Sequence, residues 1–143
     1  MSKMRIVKGV LILFGVVLAI AAFYPFRTTV APLWRVRFVD DAKSPLRNAT
    51  VKEVWKHYSL ESQSHEQDLS TDNEGYVTFP ERTIRAGAAV RLIGSAIAGL
   101  NPHGSTGPLA YLIILTPGYE TWSNNSYTPG QPLPKEIIVK RNR

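Results

Sequence analysis

The chain has 143 residues, of which 44% are hydrophobic and 20% charged, a balance that excludes a disordered chain and leaves room for one domain. Its net charge of +6 does not indicate nucleic-acid binding, because three basic residues precede the first apolar run and most of the others are scattered among acidic residues. The absence of cysteine excludes disulfides, thiolate catalysis and cysteine-based zinc sites.

The first segment is typical of an export signal or membrane anchor. An uncharged apolar run from Gly9 to Tyr24 follows three basic residues and ends before Pro25 and Arg27. Basic residues before such a run stay on the cytoplasmic side of the membrane. We therefore predict an anchor over residues 1–27 that contacts the membrane through residues 9–26, and one domain over residues 28–143 outside the cytoplasm.

Two outcomes for this segment are open. The tripeptide Ala19-Ile20-Ala21 fits the small-x-small pattern that a signal peptidase reads, which would yield a secreted protein. Extended through Phe26, however, the run approaches the length that spans a bilayer, and its last residues supply aromatic side chains for the interface. We expect an uncleaved, single-pass anchor with the domain in the periplasm or the extracellular space.

Alternating apolar residues predict the first strands of the domain. Trp34, Val36 and Phe38 alternate with less apolar positions, as in a half-buried strand. Turn-forming residues follow, and a second β-rich run extends from Val51 to Tyr58. Each of these segments is expected to place one face against a core.

The segment from Leu69 to Pro80 predicts a β-hairpin. Its turn ends at Gly75, which is free to adopt a positive φ. The period-two pattern turns Val77 and Phe79 towards the core and Tyr76 towards the opposite face.

The remaining segments complete an all-β prediction. Further strands are expected at Arg82 to Ile93, Leu109 to Leu115 and Glu136 to Val139, with a loop from Gly94 to Pro108. No amphipathic helix is evident after the anchor. About seven short strands separated by regular turn signals predict a β-sandwich preceded by one N-terminal transmembrane or signal helix.

Several short motifs, in this order, resemble the carboxypeptidase regulatory-like domain family. They are Val39-Asp40, Pro45, Asn48-Ala49, Val51, Trp55, Thr71-Asp72, Gly75, Phe79-Pro80 and Pro117-Gly118-Tyr119-Glu120. The resemblance implies a transthyretin-like (prealbumin-like), seven-stranded Greek-key sandwich with a binding or structural role and no catalytic function. The long stretch from Arg82 to Pro108 departs from the compact members of that family.

No motif predicts catalysis, a cofactor or a bound metal. The segment Gly99 to Thr106 has Ser105 where a phosphate-binding loop requires lysine. His57, His65 and His103 lie on three separate segments without the local spacing of metal ligands. A hydrolase is an alternative that would rest on these histidines alone.

Two aromatic residues are the candidates for ligand contact. Trp122 lies in a polar segment that we expect to be a loop, and Tyr119 is close to it in the chain. Trp34 and Trp55 are expected in the core because they belong to the alternating segments. The sequence thus predicts a membrane-anchored, non-enzymatic β-domain, with a carbohydrate- or peptide-binding module that uses the Trp122 loop as the alternative.

Overall fold

The computed structural model describes residues 3–100, 105–120 and 122–142. These residues form a mostly β structure with an apolar N-terminal helix. Its elements, in chain order, are α1 (Lys3–Phe23), β1 (Phe26–Ala31), β2 (Trp34–Asp40), β3 (Thr50–His57), β4 (His65–Ser70), β5 (Tyr76–Phe79), β6 (Arg82–Ala86), α2 (Ala88–Leu100), β7 (Pro108–Ile114), β8 (Trp122–Tyr127) and β9 (Glu136–Val139).

Helix α1 is long and apolar enough to cross a membrane. Its stretch from Arg5 to Phe23 has 19 residues and a mean hydropathy of 2.7, and 0% of it is buried inside the protein. The helix ends where Pro25 would clash with a further turn, and the amide of Tyr24 still donates to the carbonyl of Ile20 at 2.8 Å. The predicted N-terminal apolar helix is confirmed, as either a membrane span or a signal segment.

Two sheets share the hydrophobic core. One sheet has the order β5-β2-β9, in which β2 and β9 are parallel, and the other has the order β4-β3-β7-β8. The core side chains come from both sheets: Trp34, Val36 and Phe38 from β2, Val77 and Phe79 from β5, Ile137 and Val139 from β9, and Val51, Leu112 and Ile114 from β3 and β7. The inward faces predicted for β2 and β5 are therefore confirmed.

The turn before β5 has the predicted conformation, but the predicted hairpin is wrong, because β4 pairs with β3 and β5 pairs with β2 in a different sheet. Gly75 has a φ of 82°, and Asp72 accepts hydrogen bonds from the amides of Glu74 and Tyr76 at 2.9 and 2.8 Å. A Cβ at position 75 would lie 2.6 Å from the carbonyl oxygen of Phe38. Glycine is thus required by backbone conformation and also by close packing.

The strand count and the position of the first strand differ from the prediction. The described residues form nine strands rather than seven, and β1 precedes the strand at Trp34 that we expected to be first. Strands β1 and β6 form a separate two-stranded sheet, with Phe26 opposite Ala86 and Arg27 opposite Arg85. Residues directly after the apolar run are therefore part of the β structure.

Helix α2 is a difference from the prediction, which found no amphipathic helix after the anchor. The expected strand from Arg82 to Ile93 is a strand only as far as Ala86, and the helix continues into the segment from Gly94 that we expected to be a loop. The alanine and leucine residues of α2 favour a helix. It escaped detection because its outward face is apolar, so the segment lacks the polar stripe of a surface helix.

Candidate functional site

The strands give the domain two distinct ends. Strands β1 and β6 pair from Phe26↔Ala86 to Ala31↔Arg82, and β2 and β5 continue the antiparallel pairing from Trp34↔Phe79 to Arg37↔Tyr76. One end adjoins α1 and α2 and is called the helix end. The other, called the turn end, holds the turn at Gly75.

At the helix end, the beginning of α2 packs against the end of α1. A Cβ on Gly87 would lie 2.7 Å from the carbonyl oxygen of Ala22 and 3.1 Å from backbone atoms of Phe23. The guanidinium group of Arg91 donates to the carbonyl oxygens of Ala86 at 3.0 Å and Phe26 at 2.7 Å. These contacts join the two helices and β1 at one point.

Helix α2 packs on the domain through small residues. Gly94 is half-buried, and a Cβ there would overlap the carbonyl oxygen of Ser59. Ala98, one turn later, is also half-buried. The large apolar side chains are exposed by 51 to 84% instead, namely Val90, Leu92, Ile93, Ile97 and Leu100.

A buried carboxylate lies between the four-stranded sheet and β6. Glu53 is fully buried on β3, and its Oε2 accepts a hydrogen bond from Nε of Arg82 at 3.1 Å. Its Oε1 has no partner among the described residues. Burial raises the pKa of the Glu53 carboxyl above its usual value, and the charge of Arg82 opposes that rise.

Arg82 links Glu53 to an aromatic pair. Its guanidinium carbon lies 4.1 Å from the centroid of the Trp55 ring, and it also donates to Gln67. The Trp55 and His65 rings are stacked, with centroids 5.6 Å apart and planes 19° apart. Trp55 was expected in the core but is half-buried, because its ring covers the guanidinium group of Arg82. Pairing of Glu53 with Arg82 is structural, since no solvent reaches the carboxylate.

The histidines do not converge on one site. His57 is buried, its Nδ1 has no partner among the described residues, and its pKa is lowered, chiefly by burial and also by Arg91. His65 is exposed and lies 2.7 Å from Oε1 of Glu61. His103 lies outside the described residues. No group of three side chains suited to hold a metal occurs in the described part of the chain.

The two aromatic candidates lie towards the turn end. Tyr119 is half-buried against the core, and the guanidinium carbon of Arg141 lies 5.8 Å from its ring centroid. Trp122 begins β8, where its backbone is opposite Ile113. The expected loop at Trp122 is thus a strand, and the position of its side chain is outside the described part of the structure.

An open depression of about 670 Å³ lies beside Tyr119. Its lining is Asp41, Glu120, Lys140, Arg141 and Asn142. One wall is held by an ion pair at 3.3 Å between Arg141 and Asp40. Sequence reasoning missed this site because its residues are far apart in the chain. The two adjacent basic residues Lys140 and Arg141 were the one local signal.

Comparisons with known proteins supply no relative. No protein-family model, curated protein or solved structure matches this chain. The class that the structure defines is therefore a mostly β domain that follows an apolar, exposed N-terminal helix.

Proposed function

We propose that the protein is a single-pass, membrane-anchored, non-enzymatic domain that holds a β-sandwich outside the cytoplasm and presents its turn end to a partner. The observation that carries the proposal is the exposure of α1. None of its 19-residue apolar stretch is buried, and the hydrophobic core contains no α1 residue. Such a helix needs an apolar surrounding that the domain does not supply.

The charge pattern supports the orientation. Lys3, Arg5 and Lys8 precede the apolar run, and such residues remain in the cytoplasm when a helix inserts. The domain at the other end of α1 would then face the periplasm or the extracellular space.

A transthyretin-like fold of the carboxypeptidase regulatory-like family is part of the proposal. The three-stranded and four-stranded sheets together hold seven strands and share one core, which agrees with the count that the resemblance implies. Gly75, one of the resembling residues, occupies a tight turn that admits no side chain. On this view β1, β6 and α2 are additions at the helix end.

Extraction and labelling of the full-length chain test the anchor. Because the chain has no cysteine, single variants can be labelled without background. We expect the protein to resist alkaline carbonate and Ser70→Cys, which is exposed on β4, to react with an impermeant maleimide added from outside the cell. Reaction of Ser2→Cys should require permeabilised membranes.

Two results would contradict the proposal. A soluble form that begins at Ala22 or Phe23 would identify a cleaved signal. Labelling of Ser2→Cys in intact cells with protection of Ser70→Cys would reverse the orientation.

Binding of a peptide or carbohydrate at the turn end is a second candidate function. The observation that favours it is the depression beside Tyr119, which offers both acidic and basic side chains next to an aromatic ring. Mixed charge suits a peptide better than a neutral sugar. Binding on peptide and glycan arrays should be lost in Tyr119→Ala and Trp122→Ala but kept in Tyr58→Ala, an exposed aromatic at the helix end. Equal loss in all three variants would argue against a site at the turn end.

A further inference from the structure

We propose that α2 lies in the surface of the bilayer that α1 spans, with its outward face among the lipid headgroups and upper acyl chains. This inference rests on the proposed function, since it requires α1 to be inserted. It gives the domain a second attachment to the membrane.

The orientation of α2 supports this position. A surface helix of a soluble domain buries its large apolar side chains and exposes its polar ones. In α2 the large apolar residues point outwards, whereas the inner face carries Gly94, Ala98 and the single charged residue, Arg91. Water is a poor solvent for such an outer face, and a lipid surface is a good one.

Helix α2 also begins directly beside the end of α1. Gly87 touches the last turn of α1, so α2 begins at the level where α1 would leave the bilayer. Tyr24 and Phe26, both exposed, have ring centroids 5.1 Å apart at the same level, as expected for aromatic residues at a membrane interface. Arg85, exposed on β6 nearby, is suited to contact anionic headgroups.

The length of α2 also fits a position in the interface. A helix of 13 residues is about 20 Å long, too short to span the hydrocarbon core. Helices that lie in the interface plane bury their apolar face about 5 to 10 Å deep, and in α2 the domain covers the opposite face.

A second copy of the chain is the alternative occupant of this surface. Close helix pairs use small residues where the backbones meet. In α2, Gly94 and Ala98 face the domain. The exposed side of α2 interleaves small residues with large apolar ones, namely Ser95, Ala96 and Gly99 with Leu92, Ile93, Ile97 and Leu100. The large side chains would keep a second helix backbone at a distance. The lipid surface is therefore the occupant that the side chains favour.

Spin labels on the full-length chain in liposomes of phosphatidylcholine and phosphatidylglycerol test this inference. Ile97→Cys places a label on the outer face of α2, and Leu100→Cys, at a residue 84% exposed, repeats the measurement at a second site. Leu13→Cys reports on α1. Ile138→Cys is the matched control, an exposed isoleucine opposite Val39 at the turn end. Collisions with oxygen and with a water-soluble nickel chelate are measured for each label.

We expect collisions with oxygen to dominate at Leu13. Oxygen collisions should also exceed nickel collisions at positions 97 and 100, and the ratio there should correspond to a shallower depth in the bilayer. Nickel collisions should dominate at Ile138. If labels 97 and 100 behave as Ile138 does while Leu13 is in lipid, α2 is in water and the inference is overturned although the anchor stands.

Two other outcomes are distinguishable. Label–label broadening at position 97 that persists when the protein is diluted in lipid would show that a second copy covers α2, which also overturns the inference. A water-exposed label at Leu13 together with lipid-exposed labels on α2 would contradict the spanning anchor and, with it, the inference that depends on the anchor. Circular dichroism of each labelled variant verifies that the fold is intact.

Discussion

Glu53 and Arg82 form an ion pair in which, within the described part of the chain, only one of the two oxygens of the buried carboxylate has a hydrogen-bond partner. Oε2 of Glu53 lies 3.1 Å from the guanidinium group, while Oε1 has no partner among the described residues. The pKa of this carboxyl is raised because its burial outweighs the attraction of Arg82.

Glu53→Gln should therefore change how stability depends on pH. Above the usual glutamate pKa of 4.5 the unfolded chain releases a proton that the folded chain retains, so the free energy of unfolding of the wild type falls as pH rises towards the raised pKa. The limiting slope is about 1.4 kcal/mol per pH unit. The variant lacks this contribution, and its stability relative to the wild type should increase with pH over that window.

Urea unfolding of both full-length proteins in detergent micelles at several pH values above 4.5 measures the difference. Subtracting the two curves removes the titration of other groups, such as His57. A difference that is constant with pH would mean that the Glu53 pKa is not raised.

Gly75→Ala should be more destabilising than the same change at other glycines with positive φ. Gly130 has a φ of 86° and no atom within 4 Å of the place that a Cβ would occupy, so Gly130→Ala should cost only the backbone strain of about 1 to 2 kcal/mol. At position 75 the new Cβ also displaces the carbonyl of Phe38, a residue whose amide donates to the carbonyl oxygen of Gly75 at 2.8 Å. We expect roughly 2 to 4 kcal/mol in denaturant unfolding; equal losses would show that close packing at Gly75 is unimportant.

Phe79→Ala and Tyr76→Ala test the two faces of β5. Phe79 is fully buried, and its truncation should cost roughly 3 to 5 kcal/mol. Tyr76 lies on the other face, where its ring centroid is 4.6 Å from the guanidinium carbon of Arg35. Loss of that contact should cost about 1 kcal/mol. Thermal or urea unfolding that ranks Tyr76→Ala as equally damaging would contradict the register of this strand.

Gly94→Ala and Gly99→Ala should have opposite effects, although both lie in α2. A methyl group at position 94 would overlap the carbonyl oxygen of Ser59, so the helix must move away from the domain at a cost of about 1 to 3 kcal/mol. Position 99 has open space around it, and alanine there should stabilise the helix by up to about 1 kcal/mol. Hydrogen exchange of the α2 amides should rise in the first variant and fall or stay constant in the second. The reverse order would mean that α2 does not pack on Ser59.

Parts of the fold were predictable because a local pattern dictates them. The alternation of Trp34, Val36 and Phe38 requires one buried face, and the turn before Tyr76 needs a residue that tolerates a positive φ. The apolar helix α1 was predictable from its hydropathy alone.

The other parts depend on contacts between distant segments. Glu53 interrupts an apolar face, and its burial is intelligible only when Arg82 is brought to it by the pairing of β6 with β1. The lining of the depression comes from both ends of the domain sequence, so spacing along the chain carried no signal. Helix α2 was missed because the usual rule of apolar inside and polar outside does not hold for it.

The joint between α1 and β1 consists of Tyr24 and Pro25 alone. Two residues reach about 7 Å, proline fixes one of the backbone torsions, and the amide of Phe26 donates to the carbonyl of Tyr24 at 3.1 Å. A joint so short leaves little freedom for swivelling, so the tilt of the helix and the direction of the domain are mechanically coupled. In the proposed membrane-anchored arrangement, a force on the turn end would tilt the helix in the bilayer, and a change in bilayer thickness would in turn change the direction of the turn end.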